Sequence, residues 1–504
     1  VNALQHLAWA QSLTGLAFLF AFGAIVGSFL NVVVYRLPLG KGIVTPPSAC
    51  PACDTPLRWN DNIPILGWFL LRGRCRYCKT RISPEYMIVE LLVALTFACI
   101  AAAWFLRPSP LELLGFDLKA IRPDWTLDGL ARMWPMLGQI YLLIAAMLAI
   151  TLIDARTFMI PLVLPWLVTG VAFVAHPAHA AWIAAHGGLR RSPFPWTIAT
   201  PTGPWLLATM SAALGLVIAL ILLQLRIIPR SFADYDQWEK DTAAQRDAAS
   251  AAATEAAAAA PSPTAHDTAL GPTFRRVFLL TGPALALMFL GFSLGLPMDR
   301  PFHGMAIGMA LGLLIGIVLR RLSGRAGAPS NEPVWLAYPH ARREMGKELL
   351  FLAPPIAAFA LAWHLATTRG VPPLAAEPPL WLAALTGSLL GYLIGAAVVW
   401  AVRILGSLAF GKEAMGLGDV HLMGAVGAVL GWIDATLAFF LAPALGLAWV
   451  VLAWALAKSR GRAGTGSALP FGPHLAAASL LVLLAKPAAE TILALILSRP
   501  INLP

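Results

Sequence analysis

Long apolar runs separated by short polar breaks dominate the chain, and they carry neither the strict alternation of strands nor the half-polar face of surface helices. Runs of about 20 residues match the length a helix needs to cross the hydrocarbon core. They predict spans over 7–35, 86–106, 135–153, 158–175, 204–225, 276–296, 301–319, 349–365 and 380–402. After Asp419 the pattern predicts a short helix, a turn near Gly431-Trp432, a long helix to about Lys458, and a last apolar region over 469–497. The polar breaks fall at 36–84, at Ala155-Arg156-Thr157 and at 404–419. An alanine-rich stretch at 226–274 has the composition of a linker. The expected fold is an all-α polytopic transmembrane helix bundle with a small zinc-binding cytoplasmic domain.

Composition agrees with a lipid setting. Only 12% of the 504 residues are charged, against about 25% in soluble domains, and the mean hydropathy is +0.73. The first apolar run is too long for the core of a cleaved signal, so it is expected to stay in place as a span. The net charge of +11 fits cationic loops retained in the cytoplasm and gives no reason to expect nucleic acid. The break at 36–84 carries Arg36, Lys41, Arg58, Arg72, Arg74, Arg76, Lys79 and Arg81 against few acids, which places it in the cytoplasm. Counting spans from there puts Asp154, 226–274, 320–347 and 404–419 on the same side. The expected organisation is a first span (1–35), a cytoplasmic four-cysteine domain (36–84), spans with the first aspartate (85–176), an insertion (177–348) and spans with the second aspartate (349–504).

Carboxylates at membrane spans are expensive and mark function by default, although a lone one at a span end also fits a side chain reaching for the interface. Asp154 and Asp419 reach the same side by charge counting alone. Two close carboxyls that share a proton can hydrolyse a peptide, one activating water and the other polarising the carbonyl. Asp419 closes Gly416-Leu417-Gly418-Asp419 directly before an apolar helix. There the glycines allow close backbone approach and the helix dipole favours a negative charge. An ordinary helix N-cap would use the same residue type.

Cys50-Pro51-Ala52-Cys53 and Cys75-Arg76-Tyr77-Cys78 are two C-x-x-C knuckles with 21 residues between them. Four thiolates so spaced suit tetrahedral Zn²⁺, whose binding then supplies folding free energy to a segment too small for a core. A cytoplasmic location disfavours disulfides, and no thioredoxin-like pattern accompanies the knuckles.

In order along the chain, several strings resemble the bacterial type IV prepilin leader peptidase/N-methyltransferase family. They are Gly27-Ser28-Phe29-Leu30-Asn31 through Arg36-Leu37-Pro38, the two knuckles, Ile82-Ser83-Pro84-Glu85-Tyr86 with Val89-Glu90-Leu91-Leu92, Asp154 with Ile160-Pro161, Gly416-Leu417-Gly418-Asp419, and Leu469-Pro470-Phe471-Gly472-Pro473. The resemblance covers about half the chain. It implies a bacterial inner-membrane aspartyl endopeptidase that removes the leader of prepilins and pseudopilins at the cytoplasmic face. It also implies methylation of the new N-terminus with S-adenosylmethionine. By this resemblance Asp154 and Asp419 are the catalytic pair and Gly416, Gly418 and Pro161 support them. Cys50, Cys53, Cys75 and Cys78 hold zinc, and Glu90 and Asn31 are candidates for support or methyl transfer. A plain interfacial ion pair with an arginine is the alternative for Glu90. Two positions depart from the family pattern: Leu162 stands where an acid is usual and His421 where a lysine is usual. Residues 177–348 have no recognised counterpart. Asp54, Asp61, Glu85 and Glu413 are expected to receive a basic leader. The other readings are an intramembrane aspartyl protease with different membrane substrates and a non-enzymatic scaffold or transporter.

Overall fold

The computed structural model describes residues 3–106, 122–234, 237–238, 311, 340–411, 413–459, 470–486, 490 and 494. The predicted spans 276–296 and 301–319, most of the 226–274 linker and most of the last apolar region lie outside the described residues. Among the described residues, eight helices are long and apolar enough to cross a membrane, and regular structure is otherwise limited to short helices and two isolated β-bridges.

The helices are α1 (Ala3–Arg36), α2 (Leu66–Leu70), α3 (Pro84–Phe105), α4 (Leu130–Thr157), α5 (Val163–Ala185), α6 (Gly203–Gln224), α7 (Ala341–Arg369), α8 (Pro373–Ala376), α9 (Leu380–Phe410), α10 (Leu417–Leu430), α11 (Trp432–Ser459) and α12 (Gly472–Leu484). They follow the apolar runs because a backbone in hydrocarbon must satisfy its own hydrogen bonds, and a helix does so within one segment. Helices overrun the runs where polar residues still favour helix. The polar break predicted at Ala155-Arg156-Thr157 is helical, and α4 ends only at Phe158, whose φ of 54° breaks the ladder. In the same way α7 starts at Ala341, so the charged turn before 349 is part of it.

Neighbouring helices pair as α1 with α3, α6 with α7, and α9 with α10. The core is built around α10, which is buried from Asp419 to Leu430 except at half-buried His421 and is packed by α4, α5, α9 and α11. The α9–α10 contact is backbone against backbone. A Cβ on Gly391 would stand 1.9 Å from the Gly427 carbonyl oxygen, and one on Gly427 would stand 2.0 Å from that of Gly391. Small residues permit such approach in lipid, where packing rather than hydrophobicity drives helix association. The far end of α10 is pinned by His176. Trp196 Nε1 donates to His176 Nδ1 (3.1 Å), so the ring proton sits on Nε2 and points at the Val429 carbonyl, 3.2 Å away.

One end of the bundle gathers the polar chemistry. Glu85 at the start of α3 is ion-paired with Arg156 at the end of α4, so the four-cysteine segment and Asp154 share that end. Glu344 in the first turns of α7 accepts from Phe232 N (2.7 Å), bringing the end of the α6 segment to the start of α7.

Candidate paired-carboxylate site and four-cysteine segment

Asp154 lies in the last turn of α4 and Asp419 in the first turn of α10, with residue exposures of 6% and 8%. Their helices α4 and α10 are in contact, and Gly418, next to Asp419, packs on Ile160 in the turn that follows Asp154. Three local devices hold them. Gly472 N donates to Asp154 Oδ2 at 3.1 Å, and a Cβ on Gly472 would stand 2.7 Å from that oxygen. Gly418 lets α10 settle on Ile160, where a Cβ would meet the Ile160 Cβ at 2.6 Å. Gly416 is the N-cap of α10, which makes Asp419 its third helical residue rather than the cap. A carboxylate in the first turn lies at the positive end of the helix dipole. Pro161 lies in the turn from α4 to α5, its carbonyl accepting from Leu164 N at 3.1 Å. His421 is turned toward Tyr392 and Trp166: the Tyr392 hydroxyl is 3.2 Å from Nδ1, and the Trp166 ring centroid lies 5.0 Å away.

A buried ion network stands behind Asp419, and the sequence reasoning did not single out its centre. Arg403 of α9 and Glu348 of α7 have side-chain exposures of 2% and 3% and pair at 2.8 Å. Trp400 Nε1 donates to Glu348 Oε2 at 2.6 Å. The Arg403 Nη1 donates to Glu413 and to the Met415 carbonyl, so the guanidinium grips the segment that leads into Gly416. An arginine inside an apolar run, as in Val402-Arg403-Ile404, is the signal that would have found it.

The acids expected to receive a basic leader are largely committed elsewhere. Asp61 pairs with Arg76, Glu85 with Arg156 and Glu413 with Arg403. Arg76 beside Asp61 holds that carboxyl below its ordinary range.

The four cysteines come together. The Sγ atoms of Cys50, Cys53, Cys75 and Cys78 all lie within 4.8 Å of one another, and Cys50 and Cys78 are 3.8 Å apart. Tetrahedral Zn–S bonds of about 2.3 Å put thiolates about 3.8 Å apart, so the donor set fits a metal ion. The two knuckles repeat one design. Asp54 N and Lys79 N bond to the Cys50 and Cys75 carbonyls (2.8 and 3.1 Å), and both residues have positive φ (51° and 59°). Thr55 and Thr80 then place hydroxyls 3.3 Å from the Cys53 and Cys78 Sγ atoms. The Thr80 hydroxyl and backbone amide pull the Cys78 thiol down to about 6, and Thr55 lowers Cys53 in the same way.

Among the described residues no arginine pairs with Glu90, the partner one alternative expected. Its Oε2 accepts from Ile65 N at 2.6 Å. Asn31 Nδ2 donates to the Tyr86 carbonyl at 2.9 Å. Both line a cavity of ≈ 870 Å³ between α1, α3 and the four-cysteine segment, with Tyr35, Trp68 and Tyr86 among its walls.

The architecture defines a polytopic membrane helix bundle with two buried carboxyls and a four-thiol cluster at one end. The comparisons with known proteins then fix its relatives. Residues 21–104 match the bacterial peptidase A24 N-terminal domain and residues 354–451 match the type IV leader peptidase family. Residues 105–353, Asp154 among them, fall between the two matches. A "prepilin leader peptidase/N-methyltransferase" of Myxococcus xanthus (strain DK1622) is 55% identical over 84 residues, 16% of this chain and 25% of that protein. One of the same name from Klebsiella pneumoniae is 35% identical over 165 residues (31% and 60%). Another from Aeromonas hydrophila is 33% identical over 181 residues (31% and 53%). The chain thus spans between a quarter and three fifths of these relatives' lengths. No solved structure matches it.

Proposed function

We propose that this chain is an aspartyl endopeptidase of the bacterial inner membrane that removes the leader from type IV prepilins and pseudopilins at the cytoplasmic face, with Asp154 and Asp419 as its catalytic pair. The observation that carries this reading is the arrival of two buried carboxyls, from α4 and α10, at one end of the bundle. Two buried carboxyls brought together do not both ionise readily, and in this reading the pair works with one shared proton. The ionised member takes a proton from water while the protonated member donates a hydrogen bond to the scissile carbonyl. Proton return to the leaving amine then restores the pair. Gly472 N–H and the N-terminus of α10 hold the negative charge in place. Pro161, Gly416 and Gly418 shape the two turns that carry the carboxyls. The segment 36–84 is the cytoplasmic domain, the 177–348 segment an insertion.

Cys50, Cys53, Cys75 and Cys78 hold a structural Zn²⁺ in this reading, supported by the spacing of their Sγ atoms. S-adenosylmethionine, when bound, supplies an activated methyl group. The cavity beside Glu90 and Asn31 has a volume within the range of small-molecule sites. Its aromatic walls and buried carboxylate suit a cationic sulfonium. Glu90 and Asn31 would orient the group there.

The test uses purified full-length chain and a prepilin-like peptide with a basic leader. Cleavage ahead of the apolar helix is expected, and Asp154→Asn and Asp419→Asn should each abolish it with the helical spectrum unchanged. An active Asp variant would remove the catalytic assignment. Labelled methyl transfer to the new N-terminus, lost in Glu90→Gln, tests the second activity.

A further inference from the structure

The short helix α2 leaves the four-cysteine segment with an apolar face that no described part of the chain covers. Leu66, Phe69 and Leu70, at i, i+3 and i+4, are 58%, 58% and 71% exposed, and nearby Trp59 is 83% exposed. A solvated domain surface seldom gathers such residues on one face.

The depth of α2 points to what covers this face. Ile65, just ahead of it, is tied by its backbone amide to Glu90 Oε2. Glu90 sits six residues into the span Pro84–Phe105, about 9 Å along the helix axis from its first residue. The helix α2 therefore starts beside the span, level with the lipid-facing Ile88 and Leu92 of α3 (53% and 48% exposed). The tie is not incidental. Ile65 has φ 63° and ψ −57°, and Leu66 N reaches the Pro64 carbonyl at 2.6 Å, the strained form of a γ-turn. A β-branched residue keeps such a conformation only when its surroundings impose it. Trp68 Nε1 donates to the Ile82 carbonyl at 3.2 Å and so directs the opposite face of α2 inward. Exposed Arg58, Arg72 and Arg74 lie near α2 along the chain, Arg58 with its Nε on the Tyr77 hydroxyl at 3.0 Å. An apolar face at interface depth with cations beside it has the chemistry of an interfacial anchor.

We propose that α2 is a lipid anchor: Leu66, Phe69 and Leu70 enter the acyl chains of the leaflet while Arg58, Arg72 and Arg74 meet anionic headgroups. The anchor fixes the four-cysteine segment against the membrane surface, independently of which reaction the carboxyls perform.

The experiment reconstitutes the full chain in vesicles of phosphatidylglycerol and phosphatidylethanolamine that carry a trace of phospholipid with a diazirine in its acyl chain. After irradiation, peptide mass spectrometry should find lipid adducts on 64–71 as well as on the Ile88–Leu92 face of α3. Adducts on α3 with none on 64–71 would overturn the proposal. Replacing phosphatidylglycerol by phosphatidylcholine should lower the yield on 64–71 and leave that on α3; equal yields would overturn the headgroup contacts. In Leu66→Ser/Phe69→Ser/Leu70→Ser, metal content and α3 labelling should persist while labelling of 64–71 is lost. Protection of 64–71 on adding a prepilin-like peptide would reassign the face to substrate and overturn the lipid anchor.

Discussion

The pair Glu348–Arg403 allows a prediction that separates stability from function. In Glu348→Leu the volume is roughly kept, but a guanidinium that is 2% exposed loses its main counter-charge. Breaking a buried pair from one side costs about 3–5 kcal/mol. Glu413, 35% exposed, remains on Arg403 and softens the loss. The Trp400 indole N–H also loses its acceptor, for about 1–3 kcal/mol more. The expected net is about 3 kcal/mol, or on the order of 100-fold in the folding equilibrium. In Glu348→Leu/Arg403→Met both charges go, and apolar replacement of a buried pair is close to neutral or stabilising, so stability should rise above that of the single variant and stop short of the parent by what the Trp400 indole still lacks. Cleavage should not return with it, because the Met415 carbonyl and Glu413 have lost the donor that fixes the segment before Asp419. Reversible unfolding in mixed micelles, followed by tryptophan fluorescence, measures the first quantity, and prepilin peptide cleavage measures the second. A single variant within about 1 kcal/mol of the parent would refute the buried-charge reasoning. A double variant with full activity would refute the positioning role of Arg403.

Three further outcomes are expected. Metal analysis should find about one Zn²⁺ per chain, lost when all four cysteines become Ser; its absence from the parent would reject the site. Gly472→Ala keeps the amide that donates to Asp154 but adds a Cβ 2.7 Å from its Oδ2, so cleavage should fall by about 10-fold or more while unfolding changes little; unchanged kinetics would show that Asp154 tolerates displacement. Asp61, held low by Arg76, contributes stability that is complete above its unfolded value of about 3.9 and is lost as pH falls through the folded value. Local unfolding of the four-cysteine segment, read by hydrogen exchange, should therefore become easier below about pH 4, and Asp61→Asn should flatten that dependence.

Much of this was legible along the chain because lipid imposes a simple grammar: an apolar run is a helix, and a charge inside it needs a reason. The turn at Gly431 between α10 and α11 stands where glycine and the pattern put it, with φ 90°. Helix ends were less legible. Asp154, Arg156 and Thr157 interrupt an apolar run but not a helix, since hydropathy reports burial in lipid and not backbone hydrogen bonding. Long-range polar contacts were hidden for a different reason. Glu348 and Arg403 lie on separate spans 55 residues apart, and no local pattern links them. The same holds for the C-terminal signature around Gly472: its string was recognisable, but its contact with Asp154 belongs to the folded bundle. Glu90 illustrates the limit at a single residue, since a carboxylate near a span end fits an arginine partner as well as the backbone amide it holds.

The bond from Gly472 to Asp154 joins residues 318 positions apart. At about 5–20 residues per second, a ribosome needs on the order of 15–60 s to make that length. During this interval the first aspartate is already in the membrane, but its amide partner does not yet exist. The bond therefore closes only after the intervening spans have been made, and the Asp154 carboxyl waits for its donor until then.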